Sequence, residues 1–189
     1  VWAHDPGTLT EPQSLAAGHL RDETGTQRVW SLPELDPVSD HQHALAELRE
    51  AIATTLADTC ESNLAVAFSG GVDSALLAAQ LDAPLYAVGF PASHDLQAAR
   101  SGAELLDAEL TEVELDHDTI REAVPAVVEA TGRTNAMDVQ IALPLYVVAR
   151  RAATDGFDRL ALGQGADELF GGYAKIAKAP DDPRVRADT

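Results

Sequence analysis

The stretch Leu64-Ala-Val-Ala-Phe68-Ser-Gly-Gly-Val-Asp73-Ser74 constrains what this chain can fold into more than any other. An apolar run of strand length ends in a hydroxyl, paired glycines, a carboxylate and a second hydroxyl, and a helical pattern over 73–81 follows. Residues 69–72 are therefore predicted to form a tight strand-to-helix turn. Both glycines are read as positions where a ligand can approach closely and where the backbone takes φ values that side chains resist. The following helix points free N–H groups at the same spot. This combination predicts an anion site, with Ser69 and Ser74 adding hydroxyls and Asp73 available to a divalent cation that bridges phosphate oxygens. It is not a Walker A loop: no Gly-Lys-Ser/Thr follows the glycines, and the only lysines are Lys175 and Lys178.

A second stretch repeats the logic. Leu162-Gly-Gln-Gly-Ala-Asp167-Glu168-Leu-Phe-Gly-Gly-Tyr173 again leaves a short apolar run, over 159–162, into glycines and then carboxylates. Gly163 and Gly165 permit close backbone approach, and Asp167 falls near Asp73 if the two strands are neighbours. Two carboxylates facing one triphosphate imply Mg²⁺.

Between these motifs, strands are predicted over 85–90 and 110–115 and helices over 95–106 and 138–154. A further helix opens at Asp118, with Pro125 kinking or splitting it and Pro144 disturbing the 138–154 helix. Ahead of the first strand, a helix over 41–61 is read from Leu45, Leu48, Ile52 and Leu56, with Ser39 and Gln42 as its capping box. Earlier still, 14–20 and 27–30 flank the turn residues 22–25 and predict a β-hairpin, with Trp2 and Trp30 as its packing anchors. Alternating strands and helices mean βαβ units, right-handed crossovers and a mostly parallel sheet covered on both faces. Ligands in such sheets sit beyond the carboxyl ends of the strands, where both glycine motifs fall.

Composition narrows the partners. The 31 acidic and 13 basic residues give a formal net charge of −18, which repels nucleic acid and anionic membranes. An acidic surface with very little lysine predicts a cytoplasmic protein of a halophilic archaeon, where salt screens the self-repulsion. The single cysteine, Cys60, allows neither an internal disulfide nor a thiolate metal cage, and no apolar run or signal pattern predicts a membrane segment. The six histidines form no metal-spaced cluster.

Ser69-Gly70-Gly71-Val72-Asp73-Ser74 is similar to the SGGxDS signature of the PP-loop ATP pyrophosphatases, which grip the β,γ-pyrophosphate of ATP and cleave between α and β. With Gly163-Gln-Gly-Ala-Asp-Glu-Leu-Phe-Gly-Gly-Tyr173 it resembles the synthetase domain of class B asparagine synthetases and the related β-lactam synthetases. Ala87-Val-Gly-Phe-Pro91 with Asp95, Pro144-Leu-Tyr146, and the hairpin with Trp30 are similar to further segments of that family, so the resemblance covers nearly the whole chain.

The resemblance implies an α/β fold: a parallel-sheet PP-loop ATP pyrophosphatase (adenine nucleotide α-hydrolase-like) domain over 39–189, helices on both faces, preceded by a hairpin and linker segment over 1–38. It implies Ser69, Gly70, Gly71, Asp73 and Ser74 around pyrophosphate and Ala67, Val88, Leu162 and Gly163 around the nucleoside, mainly through backbone. Asp73 and Asp167 would hold Mg²⁺, and Gln164 and Glu168 complete the catalytic set. The implied activity is AMP-forming amide ligation: ATP adenylates a small carboxylic acid, aspartate in the family, and ammonia attacks the acyl-adenylate. The ammonia would be free or drawn from a separate glutaminase subunit, and the chain has room to form a homo-oligomer.

Three departures are visible. Gln164 stands where the family often has Glu and cannot exchange a proton near neutral pH. Met137-Asp138-Val139-Gln140 replaces a segment that carries Thr and Arg in typical asparagine synthetases. Residues 1–189 show no segment resembling the family's carboxy-terminal portion, whose lysine contacts the leaving phosphates, or its glutaminase half, whose nucleophile is an amino-terminal cysteine; Cys60 reads as structural. The alternatives are a nucleotide-binding regulator with degenerate catalysis, or another PP-loop enzyme that modifies nucleotides or tRNA.

Overall fold

A computed structural model describes residues 15–31, 38–59 and 63–172. Four strands, β3 (Leu64–Ala67), β4 (Leu85–Gly89), β5 (Leu110–Glu114) and β6 (Arg159–Ala161), form a parallel sheet in the order β5-β4-β3-β6. Helices connect them: α2 (Val72–Gln80), α3 (His94–Leu106), α4 (His117–Thr131) and α5 (Ala136–Thr154), with the short α6 (Ala166–Phe170) after β6. Ahead of them lie the antiparallel β1 (His19–Asp22) and β2 (Gly25–Arg28), then α1 (His41–Thr59).

The two central strands, β3 and β4, are buried on both faces because they carry apolar residues at odd and even positions, whereas the edge strands β5 and β6 are only partly covered. Leu64, Val66 and Phe68 join Leu85 and Ala87 on one face, against Leu96, Ala99 and Ala103 of α3. Ala65 and Tyr86 point the other way, to Val148 and Ala152 of α5. Leu115, Ala123, Val127, Leu143 and Val147 extend that second layer between α4 and α5. On this face the Tyr86 hydroxyl donates to Asp155 Oδ2 at 2.8 Å, and Arg151 Nε donates to the same oxygen at 2.8 Å. The Tyr86 hydrogen bond, then Arg151, hold the Asp155 carboxyl below its ordinary range, while burial first and Asp155 second push the Tyr86 hydroxyl up.

Several local expectations are corrected. Helix α1 is capped by Asp40, not Ser39: Asp40 Oδ1 accepts from the backbone N–H of Gln42 at 2.9 Å and of His43 at 3.2 Å. Helix α4 starts at His117, more than two turns before Pro125, at an Asp116 cap whose Oδ1 accepts from Thr119 N at 2.7 Å, rather than at Asp118. Asn135 caps α5 in the same way. Pro125 and Pro144 sit inside continuous helices and split neither. Buried residues one turn apart on either side of each proline, Ala123 with Val127 and Leu143 with Val147, share one core and hold the helix together through the lost hydrogen bond.

The hairpin forms with Asp22 Oδ1 accepting from Thr24 N at 2.8 Å across its turn. Trp30, 59% exposed as a residue, does not anchor it by burying its ring; its backbone does, Trp30 N donating to Gly18 O at 3.1 Å. Trp2 and Cys60 lie outside the described residues.

Candidate functional site

Strands β3 and β6 pair in parallel, Leu64 opposite Arg159 and Val66 opposite Ala161, so the two glycine motifs leave the sheet side by side. Phe68 N still donates to Tyr86 O at 2.7 Å, and the chain then turns sharply into α2. Gly70 supplies the turn with φ +78, and a side chain there would collide with the backbone oxygen of Ala98 and come within 2.5 Å of its carbonyl carbon. Gly71 is different. Its φ of −79 and ψ of 164 suit any residue, so the expectation that both glycines are conformationally required holds only for Gly70.

Ser74 ties the turn together and is the one buried residue classed as polar or charged among the described residues. Its hydroxyl donates to Gly71 O at 3.1 Å and accepts from Ser69 N at 3.2 Å, with Ser69 Oγ 3.1 Å away. A hydroxyl so engaged frames the loop before it serves a ligand. The N-terminus of α2 has no side-chain cap, which leaves the N–H groups of its first turn facing the same space.

The second motif closes on this turn. Gly163 lies so near α2 that a Cβ there would stand 2.9 Å from Asp73 Cβ and 3.2 Å from Ser74 N. Gly165 then takes φ +95 and starts α6, which carries Asp167 and Glu168.

A cavity of about 1020 Å³ opens beyond the carboxyl ends of the strands. Ala67, Ser69, Gly71, Asp73, Ser74, Val88, Leu162, Gly163, Gln164, Asp167 and Glu168 all line it. Gly70 is not on the lining; it is turned against α3. Val139 and Gln140, of the segment that departs from the family pattern, also line it, with Ser93 and Thr134 and an apolar wall of Leu115, Ile120, Val124, Val128 and Leu143 that the sequence did not point to. Ile120, Val124 and Val128 recur at helical spacing, but spacing identifies a buried stripe without saying whether a core or a cavity lies opposite.

Asp73 and Asp167 form no ion pair among the described residues. Among the same residues no group of three or more His, Cys, Asp and Glu side chains gathers to hold a metal. One or two carboxylates completed by phosphate oxygens is nevertheless the usual donor set for Mg²⁺, so the residues present fit a cation that arrives with a nucleotide.

The family model for asparagine synthase matches residues 43–187. The chain belongs to the asparagine synthase family. It is 28% identical over 182 residues to asparagine synthetase B [glutamine-hydrolyzing] of Escherichia coli, covering 82% of this chain and 32% of that protein. It is 40% identical over 111 residues to a protein of Methanocaldococcus jannaschii named as glutamine-hydrolyzing asparagine synthetase 1, covering 57% of this chain and 20% of that one. The chain therefore spans a third or less of the length of these relatives. Among solved structures, the NH3-dependent NAD synthetase of Campylobacter jejuni aligns over 69% of this chain and 61% of its own, at 17% identity and a TM-score of 0.46. No helix among the described residues is long and apolar enough to cross a membrane.

Proposed function

We propose that this chain carries the ATP-binding and ligating site of an AMP-forming amide ligase. The observation that supports it most is the junction of the two glycine motifs on neighbouring strands: Gly163 packed on Asp73 brings an uncapped helix N-terminus and the carboxylates of Asp73 and Asp167 to one cavity. The triphosphate lies along residues 69–74, and the nucleoside lies against the backbone of Ala67, Val88, Leu162 and Gly163. Asp73 and Asp167 would hold Mg²⁺, which when bound would neutralise charge on the pyrophosphate.

In the reaction, an oxygen of the acid's carboxylate attacks the α-phosphorus, the α–β P–O bond breaks, and pyrophosphate leaves. Ammonia then attacks the acyl carbon, the C–O bond to AMP breaks, and a proton is released as the amide forms. Residues of this chain bind and orient; the N–H groups of α2 stabilise the leaving charge. Gln164 orients by hydrogen bonding and takes no proton. Residues 39–189 serve as the ligase domain and 1–38 as hairpin and linker.

ATP–pyrophosphate exchange tests this. Asp73→Asn and Asp167→Asn should each lower the exchange rate about a hundredfold with the fold intact. Full activity in both would refute the metal assignment. Tight ATP binding with no exchange, in the wild type and in Gln164→Glu, would instead identify a nucleotide-binding regulator, a reading that Gln164 on the cavity lining favours.

A further inference from the structure

We propose that Gly172 is a positioning residue for Asp167: because 172 carries no side chain, the Asp167 carboxylate can lie back over the end of α6 and meet the cavity in one orientation. The inference rests on the ligase reading above, in which Asp167 serves the cation. It adds to that site a residue that is not on the cavity lining.

The second motif ends in two glycines, and they are glycines for different reasons. Gly171 closes α6 with a left-handed φ of +68, which its backbone alone explains. Gly172 has no left-handed φ, so its backbone suits any residue. What excludes a side chain at 172 is Asp167. A Cβ there would overlap Asp167 Oδ1, stand 2.9 Å from its Cγ and lie 3.2 Å from its Cα. The main chain of Asp167 is fixed against the same place, since Gly172 N donates to Asp167 O at 3.0 Å and the Gly171 N–H points to the same oxygen.

The glycine beside the other carboxylate behaves differently. A side chain at Gly163 would meet Asp73 Cβ and the Ser74 backbone, so it would push α2 away as a body. At Gly172 the first atom met is the far end of a side chain, and Asp167 is exposed, so the carboxylate can swing into solvent and leave the fold as it was. Turning the carboxylate about its own axis does not suffice, because Cγ too is inside carbon–carbon contact distance; the whole group must swing about the Cα–Cβ bond. Oδ1 is thereby displaced by more than about 1 Å, a misplacement that can cost about a hundredfold at a reacting centre. Gly172→Ala is thus expected to spare stability and impair the use of the cation.

The test is ATP binding by calorimetry on the full chain at graded Mg²⁺, in the wild type, Gly172→Ala, Asp167→Ala and the double variant, with a urea titration of each. Gly172→Ala should raise the Mg²⁺ needed for half-maximal ATP affinity about ten- to a hundredfold, the range for losing a group that orients a metal ligand, with its urea midpoint unchanged. In the Asp167→Ala background the same substitution should move neither quantity, since no carboxylate remains to be displaced. Wild-type Mg²⁺ dependence in Gly172→Ala beside a weakened Asp167→Ala would overturn the inference alone. So would a further loss in the double variant, or a midpoint that falls equally in both backgrounds. If Gly172→Ala does not fold by circular dichroism, the double variant decides: folding restored by removing the Asp167 carboxylate supports the inference, and failure in both overturns it. Wild-type Mg²⁺ dependence in Asp167→Ala would instead refute the metal assignment of the reading above, and this inference with it.

Discussion

Replacing Gly70 by alanine should damage this protein far more than replacing Gly71, although the two are adjacent and identical. At Gly70 the new Cβ would stand 2.5 Å from the carbonyl carbon of Ala98 and 2.9 Å from Ala99 N, and closer still to the Ala98 oxygen. These are backbone atoms of α3, so no side chain can swing aside. Carbon atoms rest about 3.5 Å apart, so turn and helix must separate by about 1 Å. Overpacking of this kind costs about 1–3 kcal/mol. The left-handed φ of +78 adds about 1–2 kcal/mol for a residue with a Cβ. The total, about 2–5 kcal/mol, is a large part of a typical domain's stability of about 5–15 kcal/mol. At Gly71 the φ is ordinary and the nearest atom is Ser69 Oγ at 3.3 Å, the end of a side chain that can rotate. Gly71→Ala should therefore leave stability within about 0.5 kcal/mol of wild type. Urea titration of both variants, with ATP calorimetry on whatever folds, gives the answer. Equal midpoints would refute the reasoning, because the argument turns on the two sites being sterically unlike.

Ser74→Ala should cost about 1–3 kcal/mol, since Ser69 N loses its partner inside the turn while Gly71 O keeps the N–H of Ala75; an unchanged urea midpoint would show that the hydroxyl is not part of the frame. Because the Asp155 carboxyl is held below its ordinary range, its contribution is present above about pH 4 and lost as pH falls through its lowered value. Tyr86→Phe should flatten that acid-side loss in a pH series of denaturation midpoints, and an unaltered slope would count against the Tyr86–Asp155 bond. With a formal charge of −18, the melting temperature should climb as KCl is raised from 0.1 to about 1 M, where the Debye length shrinks from about 10 to about 3 Å. A flat series would remove the argument for a halophilic origin.

The parts legible in the sequence were those governed by neighbours along the chain. An apolar run, a glycine pair and a helical pattern must produce strand, turn and helix, and the turn at 69–72 forms where that pattern puts it. The acidic caps were harder: Asp40 and Asp116 each have a second polar residue close by, and the cap is decided by which one takes the extended backbone, not by residue type. The prolines misled because the penalty at Pro125 and Pro144 is local, whereas the burial of Ala123, Val127, Leu143 and Val147 that outweighs it depends on packing between helices. Gly70 and Gly71 are indistinguishable by type, and only the approach of α3 tells them apart. The apolar wall was hidden for the same reason: a stripe of valines looks alike whether protein or open space faces it.

The pairing of β3 with β6 also sets an order of assembly. Leu64 and Arg159 are partners, so the loop closed between them includes nearly every other element of the sheet. Long closures are made late, after the local βα units have reduced the entropy to be lost. A nascent chain released as far as Asp158 can already shape the turn at 69–72, yet it has no second wall, and nucleotide affinity should emerge abruptly once the Gly163 loop leaves the ribosome. Stalled chains of graded length, probed with a fluorescent ATP analogue, would show that step or its absence. On the proposed reading, the completed cavity would report that synthesis has passed β6: a partly made chain has the turn at 69–74 without the second wall.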